Sequence, residues 1–137
     1  MGHCVSGTPL KELRADLTTH LATGLGASAP KLGQLVNPPA VIVQPGEPYL
    51  TASGYCTDSV LFAATVVAPP GDIAGVIDAL DDMIDEVRGT LRTQSTLGAT
   101  DGYMYGFREV SGPTTFPSGD ELLPAVVVTV AVERDAP

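Results

Sequence analysis

LLPAVVVTVAVE, at residues 122–133, is the stretch of sequence that decides the fold. Successive side chains of a β-strand point to opposite faces. One face of this stretch carries Val126, Val128, Val130 and Val132. The opposite face carries Ala125, Val127, Thr129 and Ala131. Both sets are apolar, so the sequence predicts a strand from Ala125 to Glu133 in the interior of a sheet.

Two amphipathic helices are predicted upstream of this strand. The first begins at Thr8 and Pro9, an N-cap residue followed by proline, and ends at Gly24. Its apolar positions repeat at helical spacing and are Leu10, Leu13, Leu17 and Leu21. The second helix follows Asp72, which is predicted to cap it. Its apolar stripe consists of Ile73, Val76, Ile77, Leu80, Ile84, Val87 and Leu91.

Three further strands complete the predicted fold, at residues 40–43, 59–68 and 107–110. Pro45 and Gly46 are predicted to end the first of them, so residues 45–58 are expected to form a loop, as are residues 93–106. The PSGDE segment at residues 117–121 is the expected turn before the last strand. The predicted order is α-β-β-α-β-β, an α+β fold in which two helices pack on one face of a four-stranded mixed or antiparallel sheet.

Chain length and composition indicate how this fold is organised. The 137 residues have the usual length of a single domain. We expect a flexible leader at residues 1–7, one domain at residues 8–133 and a flexible tail at residues 134–137. Hydrophobic residues make up 44% of the chain but aromatic residues only 5%, so the core is expected to consist mainly of aliphatic side chains.

Two helices on one face leave the other face of the predicted sheet without cover. Monomers rarely expose large apolar patches, so this face indicates self-association. The alternative, that the predicted loops fold over it, stays open. The PGEPYL segment is a second candidate contact, and the acidic face of the second helix is either solvated or docks a basic partner. The predicted contact residues are Glu47, Tyr49, Leu50, Asp78, Asp82, Asp85, Val126, Val128 and Val130.

The charge balance and the distribution of apolar residues argue against two classes of partner, nucleic acids and membranes. The chain has 16 acidic and 7 basic residues, and its formal net charge of -9 repels polyphosphates. We therefore expect no specific nucleic-acid binding. The sequence also lacks an apolar run approaching the roughly 18 residues of a transmembrane helix, so no membrane partner is expected.

The sequence contains no complete catalytic or metal-binding motif. The DDxxD pattern at residues 81–85 lacks the second acidic motif and the large helical cavity that prenyl-diphosphate enzymes use to bind magnesium. Cys4 and Cys56 are too few for a disulfide framework, which fits a reducing compartment. We expect no cofactor, no metal and no enzymatic activity. The rival hypothesis is a small hydrolase or ligand-binding domain that uses His20, Cys56 or the acidic helix, with Ser59 and Cys56 as the available nucleophiles for His20.

Several segments together carry a family resemblance that spans nearly the whole chain. They are the leucine-striped first helix, NPPAVIV with PGEPYL, VLFAATVVAPPGD, ALDDMIDEV, FREVSGP and LLPAVVVTVAVE. In this layout the sequence resembles the tail terminator and minor tail proteins of long-tailed bacteriophages, particularly those of actinobacterial hosts. The resemblance implies an α/β subunit that forms a ring, usually hexameric, at the head-proximal end of the tail tube.

The resemblance also implies partners and a location. The partners are further copies of the chain, the tail tube protein and the head-tail connector proteins. The ring would halt tube polymerisation and would belong to a virion that is assembled in the host cytoplasm. A head-closure protein or another neck connector is the alternative within the same class, and the family offers no catalytic residues to carry over.

Overall fold

The computed structural model describes residues 9–30, 35–93 and 105–135. Its elements are α1 (Leu10–Leu25), β1 (Ala40–Gly54), β2 (Thr57–Val67), α2 (Ile73–Thr93), β3 (Tyr105–Val110), β4 (Thr114–Ser118) and β5 (Glu121–Asp135). The predicted α+β class is confirmed. Two details are wrong, because the described residues form five strands instead of four, in the order α-β-β-α-β-β-β. The predicted leader and most of the predicted loop at residues 93–106 lie outside the described residues.

The described strands pair antiparallel, in the order β1-β2-β5-β3, and β4 also pairs with β5. The interior position predicted for β5 is confirmed, since this strand lies between β2 and β3. β2 pairs with residues 125–135 of β5, β3 with residues 128–132, and β4 with residues 121–125. β5 therefore joins three of the other four described strands into one sheet.

The main core lies between the two helices and one face of this sheet. Its buried side chains include Leu13, Leu17 and Leu21 of α1, Leu80, Val87 and Leu91 of α2, and Val126, Val128 and Val130 of β5. Burial of apolar surface stabilises the fold by roughly 25 cal/mol for each Å² removed from water. The apolar stripe predicted for α2 is buried only in part, because Ile73 and Ile77 in its first turns are exposed.

Two glycines shape the C-terminal end of α1. The helix continues through Gly24, its predicted end. Gly24 lies against Thr90 of α2, where an added Cβ would collide with the threonine hydroxyl, so this position favours glycine for packing. The helix ends instead at Gly26, whose φ of 61° lies in the left-handed region that glycine adopts without strain. There the N–H of Ala27 donates to the carbonyl oxygen of Ala22 over 2.9 Å, which closes the last turn.

β1 departs furthest from the prediction. Pro45 and Gly46 do not end this strand, which continues to Gly54. A two-residue turn at residues 55–56 then leads directly into β2. The loop predicted at residues 45–58 is therefore wrong, and a long β-hairpin takes its place.

A bulge allows β1 to continue past its proline. Between the cross-strand pairs Pro45–Phe62 and Leu50–Val60, four residues of β1 lie opposite a single residue of β2. Gly46 stands in this bulge, where an added Cβ would lie only 2.8 Å from a carbonyl oxygen of β2. The close approach of the two backbones thus requires glycine at this position.

The sheet face away from the helices is partly covered by the chain itself. A second cluster of buried side chains there consists of Val36, Ala40, Ile42, Val67, Leu123 and Ala125, with Phe116 packed against it. The segment at residues 35–39 is tied to β4, because the N–H of Val36 donates to the hydroxyl of Ser118 over 2.8 Å. The expectation that this face lacks cover is therefore wrong at this end of the sheet.

The two ends of β5 also differ from the prediction. β4 has no counterpart among the predicted strands, and the turn predicted at residues 117–121 is reduced to Gly119 and Asp120. β5 continues past Glu133, its predicted end. Arg134 lies opposite Asp58 of β2, and the two buried side chains form an ion pair with an N–O distance of 3.3 Å.

Candidate interaction surfaces

Three of the predicted contact residues are inaccessible. Val126, Val128 and Val130 are at most 2% exposed, since α1 and α2 pack on the face that they share. The prediction of these valines as contact residues is therefore wrong. Because side chains alternate along a strand, any contact made by the sheet falls on the other set of β5 side chains.

We call this other surface the open face, and it comprises Leu61, Ala63, Val127, Thr129 and Ala131. The register places Leu61 opposite Ala131 and Ala63 opposite Thr129. Each of the five side chains keeps part of its surface accessible. A solvated face of an antiparallel sheet is usually polar, whereas four of these five residues are apolar. The apolar side chains of the open face thus lie beyond the second cluster, and the register places Gln44 of β1 opposite Ala63 and Glu109 of β3 opposite Thr129 beside them.

We call residues 50–55, at the end of the β1–β2 hairpin, the hairpin tip. Leu50 is 40% exposed and Tyr55 is 76% exposed, so the tip presents two large apolar groups to solvent. Glu47, another predicted contact residue, is also exposed. Tyr49 differs, because its ring packs edge-on against Phe62 of the main core with 5.9 Å between ring centroids. Tyr49 therefore anchors the hairpin to the core.

We call the cavity between the start of α2 and the β4–β5 hairpin the end groove. It has a volume of about 380 Å³. Its lining residues carry no charge and are Pro70, Gly71, Ile73, Val76, Ile77, Pro113, Thr114, Thr115, Leu122 and Pro124. Ile73, Ile77 and Leu122 are 80%, 45% and 68% exposed. The sequence shows these residues only as part of an apolar pattern, so it did not predict them as a surface.

The predicted acidic face of α2 is present. Asp78, Asp82 and Asp85 are exposed on the helix surface. Arg88 is turned to the sheet side, where its guanidinium carbon lies 4.6 Å from the ring centroid of Phe107, within the range of a cation–π contact. The three aspartates consequently form a solvent-facing anionic surface that is separate from the end groove.

A second groove, of about 550 Å³, runs between α1 and β1. Lys11 and Arg14 line its helical side, and residues 41–45 line its strand side. These two cations stand out in a chain with a net charge of -9. We assign no ligand to this groove.

Two of the three side chains named for the rival hypothesis, His20 and Cys56, have partners in the structure. The Nδ1–H of His20 donates to the carbonyl oxygen of Asp16 on the same helix over 3.2 Å, because a carbonyl can only accept. Cys56 is disulfide-bonded, which differs from the reduced cysteines expected from the sequence and removes its thiol as a nucleophile. Ser59 lies in β2, on the same sheet face as the open face.

In residues 9–30, 35–93 and 105–135, no three His, Cys, Asp or Glu side chains are placed to hold a metal ion together. Neither α1 nor α2 is long and apolar enough to span a bilayer. The expected absence of a cofactor and of enzymatic activity stays a prediction.

Comparison with protein-family models gave no match, and comparison with curated proteins gave none.

Proposed function

We propose that this protein is a structural subunit of a phage virion, a tail terminator that assembles into a ring at the head-proximal end of the tail tube. One observation carries the proposal: accessible apolar side chains occur at three separate places, the open face, the hairpin tip and the end groove. A ring subunit needs two surfaces for its neighbours and a third for the partner stacked on the ring. A small-molecule enzyme needs one pocket with converging polar groups.

Two further features support this proposal. The α+β class agrees with the subunit that the family resemblance implies. The net charge of -9 suits a ring through which DNA slides, because like charges prevent the DNA from adhering to its wall. Within the proposal, the open face contacts the tail tube protein, and the chain carries out no catalytic step.

Light scattering after size-exclusion chromatography tests the ring. We expect a closed oligomer, hexameric by analogy with the family, whose population rises with protein concentration. We also expect electron micrographs to show the purified protein at one end of isolated tail tubes. A protein that stays monomeric at every concentration and does not bind tubes contradicts the proposal. Binding to the head connector but not to tube ends favours the alternative, a neck connector.

A single charge on the open face tests its contact with the tube. Thr129→Glu is expected to abolish binding to tube ends, because it adds a carboxylate next to the apolar side chains of the open face and directly opposite the carboxylate of Glu109. Thr23→Glu is the matched control, since Thr23 is exposed on α1 and lies outside the three apolar surfaces. If both variants bind tubes as well as the wild-type protein, the open face is not the contact.

A further inference from the structure

The hairpin tip and the end groove lie at opposite ends of the same strands. β2 pairs Thr57 with Asp135 beside the hairpin tip, and it pairs Val67 with Ala125 beside the end groove. The residues of β2 between these pairs span roughly 33 Å at the usual rise of a strand. A single copy therefore cannot place its own tip in its own groove.

We propose that the hairpin tip of one copy docks in the end groove of the next copy, so that Tyr55 of one subunit contacts Ile73 and Ile77 of its neighbour. This inference rests on the proposed ring and specifies the contact that joins adjacent subunits. The contact is heterologous, since two different surfaces meet, and heterologous contacts produce closed rings when the rotation between subunits closes.

The chemistry of the two surfaces supports a second copy as the occupant. The lining of the end groove carries no charge, so a charged occupant would lose hydration without gaining a partner. The large hydrophobic side chains exposed in the described residues are Leu35, Leu50, Tyr55, Ile73, Ile77 and Leu122. Three of them line the groove and two belong to the uncharged tip. The tip is thus the apolar projection that this chain offers to the groove.

The number of contacts for each subunit favours a ring over a dimer. Burying one tyrosine removes roughly 150–250 Å² from water, against about 800 Å² on each partner of a stable interface, so a single docked tip is a weak contact. A pair would have only one such contact and would leave one tip and one groove exposed. In a closed ring each subunit makes two such contacts, through its own tip and its own groove. Ring closure therefore leaves neither apolar surface exposed.

The same surfaces predict an unusual response to salt. Two copies with a net charge of -9 repel each other, and salt screens this repulsion within a Debye length of about 10 Å at 0.1 M. Neither the hairpin tip nor the lining of the end groove carries a charge, so there is no electrostatic attraction between them that salt could weaken. We expect assembly to strengthen as NaCl is raised from about 0.05 M to about 0.5 M. Assembly that dissolves over this range identifies an ionic contact and overturns the inference.

Matched variants of the full chain test the contact directly. Tyr55→Asp alters the tip and Ile77→Asp alters the groove, and both residues are exposed, so both variants are expected to fold. Each is expected to raise the concentration for half-assembly, measured by analytical ultracentrifugation, by about tenfold or more. Leu35→Asp is the control, because Leu35 is 75% exposed but belongs to neither surface. Circular dichroism and thermal melts verify the fold of all three.

Crosslinking identifies the surface that the tip touches. Tyr55→p-benzoylphenylalanine, activated by light in a mixture of isotopically labelled and unlabelled copies, is expected to yield intermolecular crosslinks to residues 70–77 or 113–124. Crosslinks to other segments overturn the inference. Rings that persist unchanged in both aspartate variants also overturn the proposed contact, but they are compatible with the proposed ring. A wild-type protein that is monomeric throughout refutes the proposed ring, and the contact with it.

Discussion

The two faces of β5 carry similar residues but have different surroundings. Val126, Val128 and Val130 are buried beneath the helices, whereas Val127 and Thr129 keep accessible surface on the open face. Alternation along the strand determines which side chains share a face. Packing of the helices determines which face becomes core. Apolar composition alone therefore does not distinguish a core face from a contact face in this protein.

The largest expected effect compares two neighbours in β2. Phe62 is buried in the main core, and Leu61 points to the open face. Phe62→Ala is expected to lower the free energy of unfolding by about 3–5 kcal/mol, because it leaves a cavity. Leu61→Ala is expected to lower it by only about 1 kcal/mol, since the side chain is already partly hydrated. Urea denaturation measures both values, and equal losses would show that the two faces are packed alike.

A second prediction examines the polar end of the helix-side face. Asp58 and Arg134 are both buried, so removing the Asp58 carboxylate takes the ion pair with Asp58 away from a buried guanidinium. Asp58→Ala is expected to lower the free energy of unfolding by about 3 kcal/mol. The double variant with Arg134→Ala is expected to lose less than the sum of the two single changes. Additive losses in urea denaturation would mean that the two side chains are not coupled.

The smallest expected effect uses a pair of alanines in β2. Ala64 is buried in the main core, and Ala63 lies on the open face. Ala64→Leu is expected to lower the free energy of unfolding by about 1–3 kcal/mol, because the packed core has no room for the added atoms. Ala63→Leu is expected to leave stability nearly unchanged and to enhance binding to tail tubes by enlarging the open face. Thermal melts and tube binding test the contrast; a destabilised Ala63→Leu would indicate that the open face is already covered.

The sequence predicted the parts of the fold in which one pattern continues without interruption. The valine alternation of β5 and the leucine spacing of α1 both have buried counterparts in the structure. The bulge in β1 interrupts such a pattern. Val41 and Val43 face the helices before it, but Leu50 lies opposite the helix-side Val60 after it, so the bulge shifts the alternation from odd to even positions. A prediction based on strict alternation of side chains therefore places the end of β1 too early.

The candidate surfaces were less predictable than the fold. Ile73 and Ile77 belong to the same predicted apolar stripe as the buried Leu80 but are exposed, a difference that helical spacing does not encode. β4 contains Pro117, and proline in a sequence favours the prediction of a turn. A strand that is paired on one side nevertheless tolerates proline. Leu122 is exposed beside this strand, so the end groove depends on an element that the sequence did not reveal.

The position of β5 along the chain has a consequence for biosynthesis. The ribosome makes β2, β3 and β4 before the strand that joins them, so on a nascent chain β2 can pair with β1, whereas β3 and β4 have no partner among the described strands until β5 is made. Contacts between residues distant in sequence also form slowly. The edge of β2 that β5 later occupies consequently stays unpaired until β5 emerges, and an unpaired strand edge is prone to aggregation during this interval.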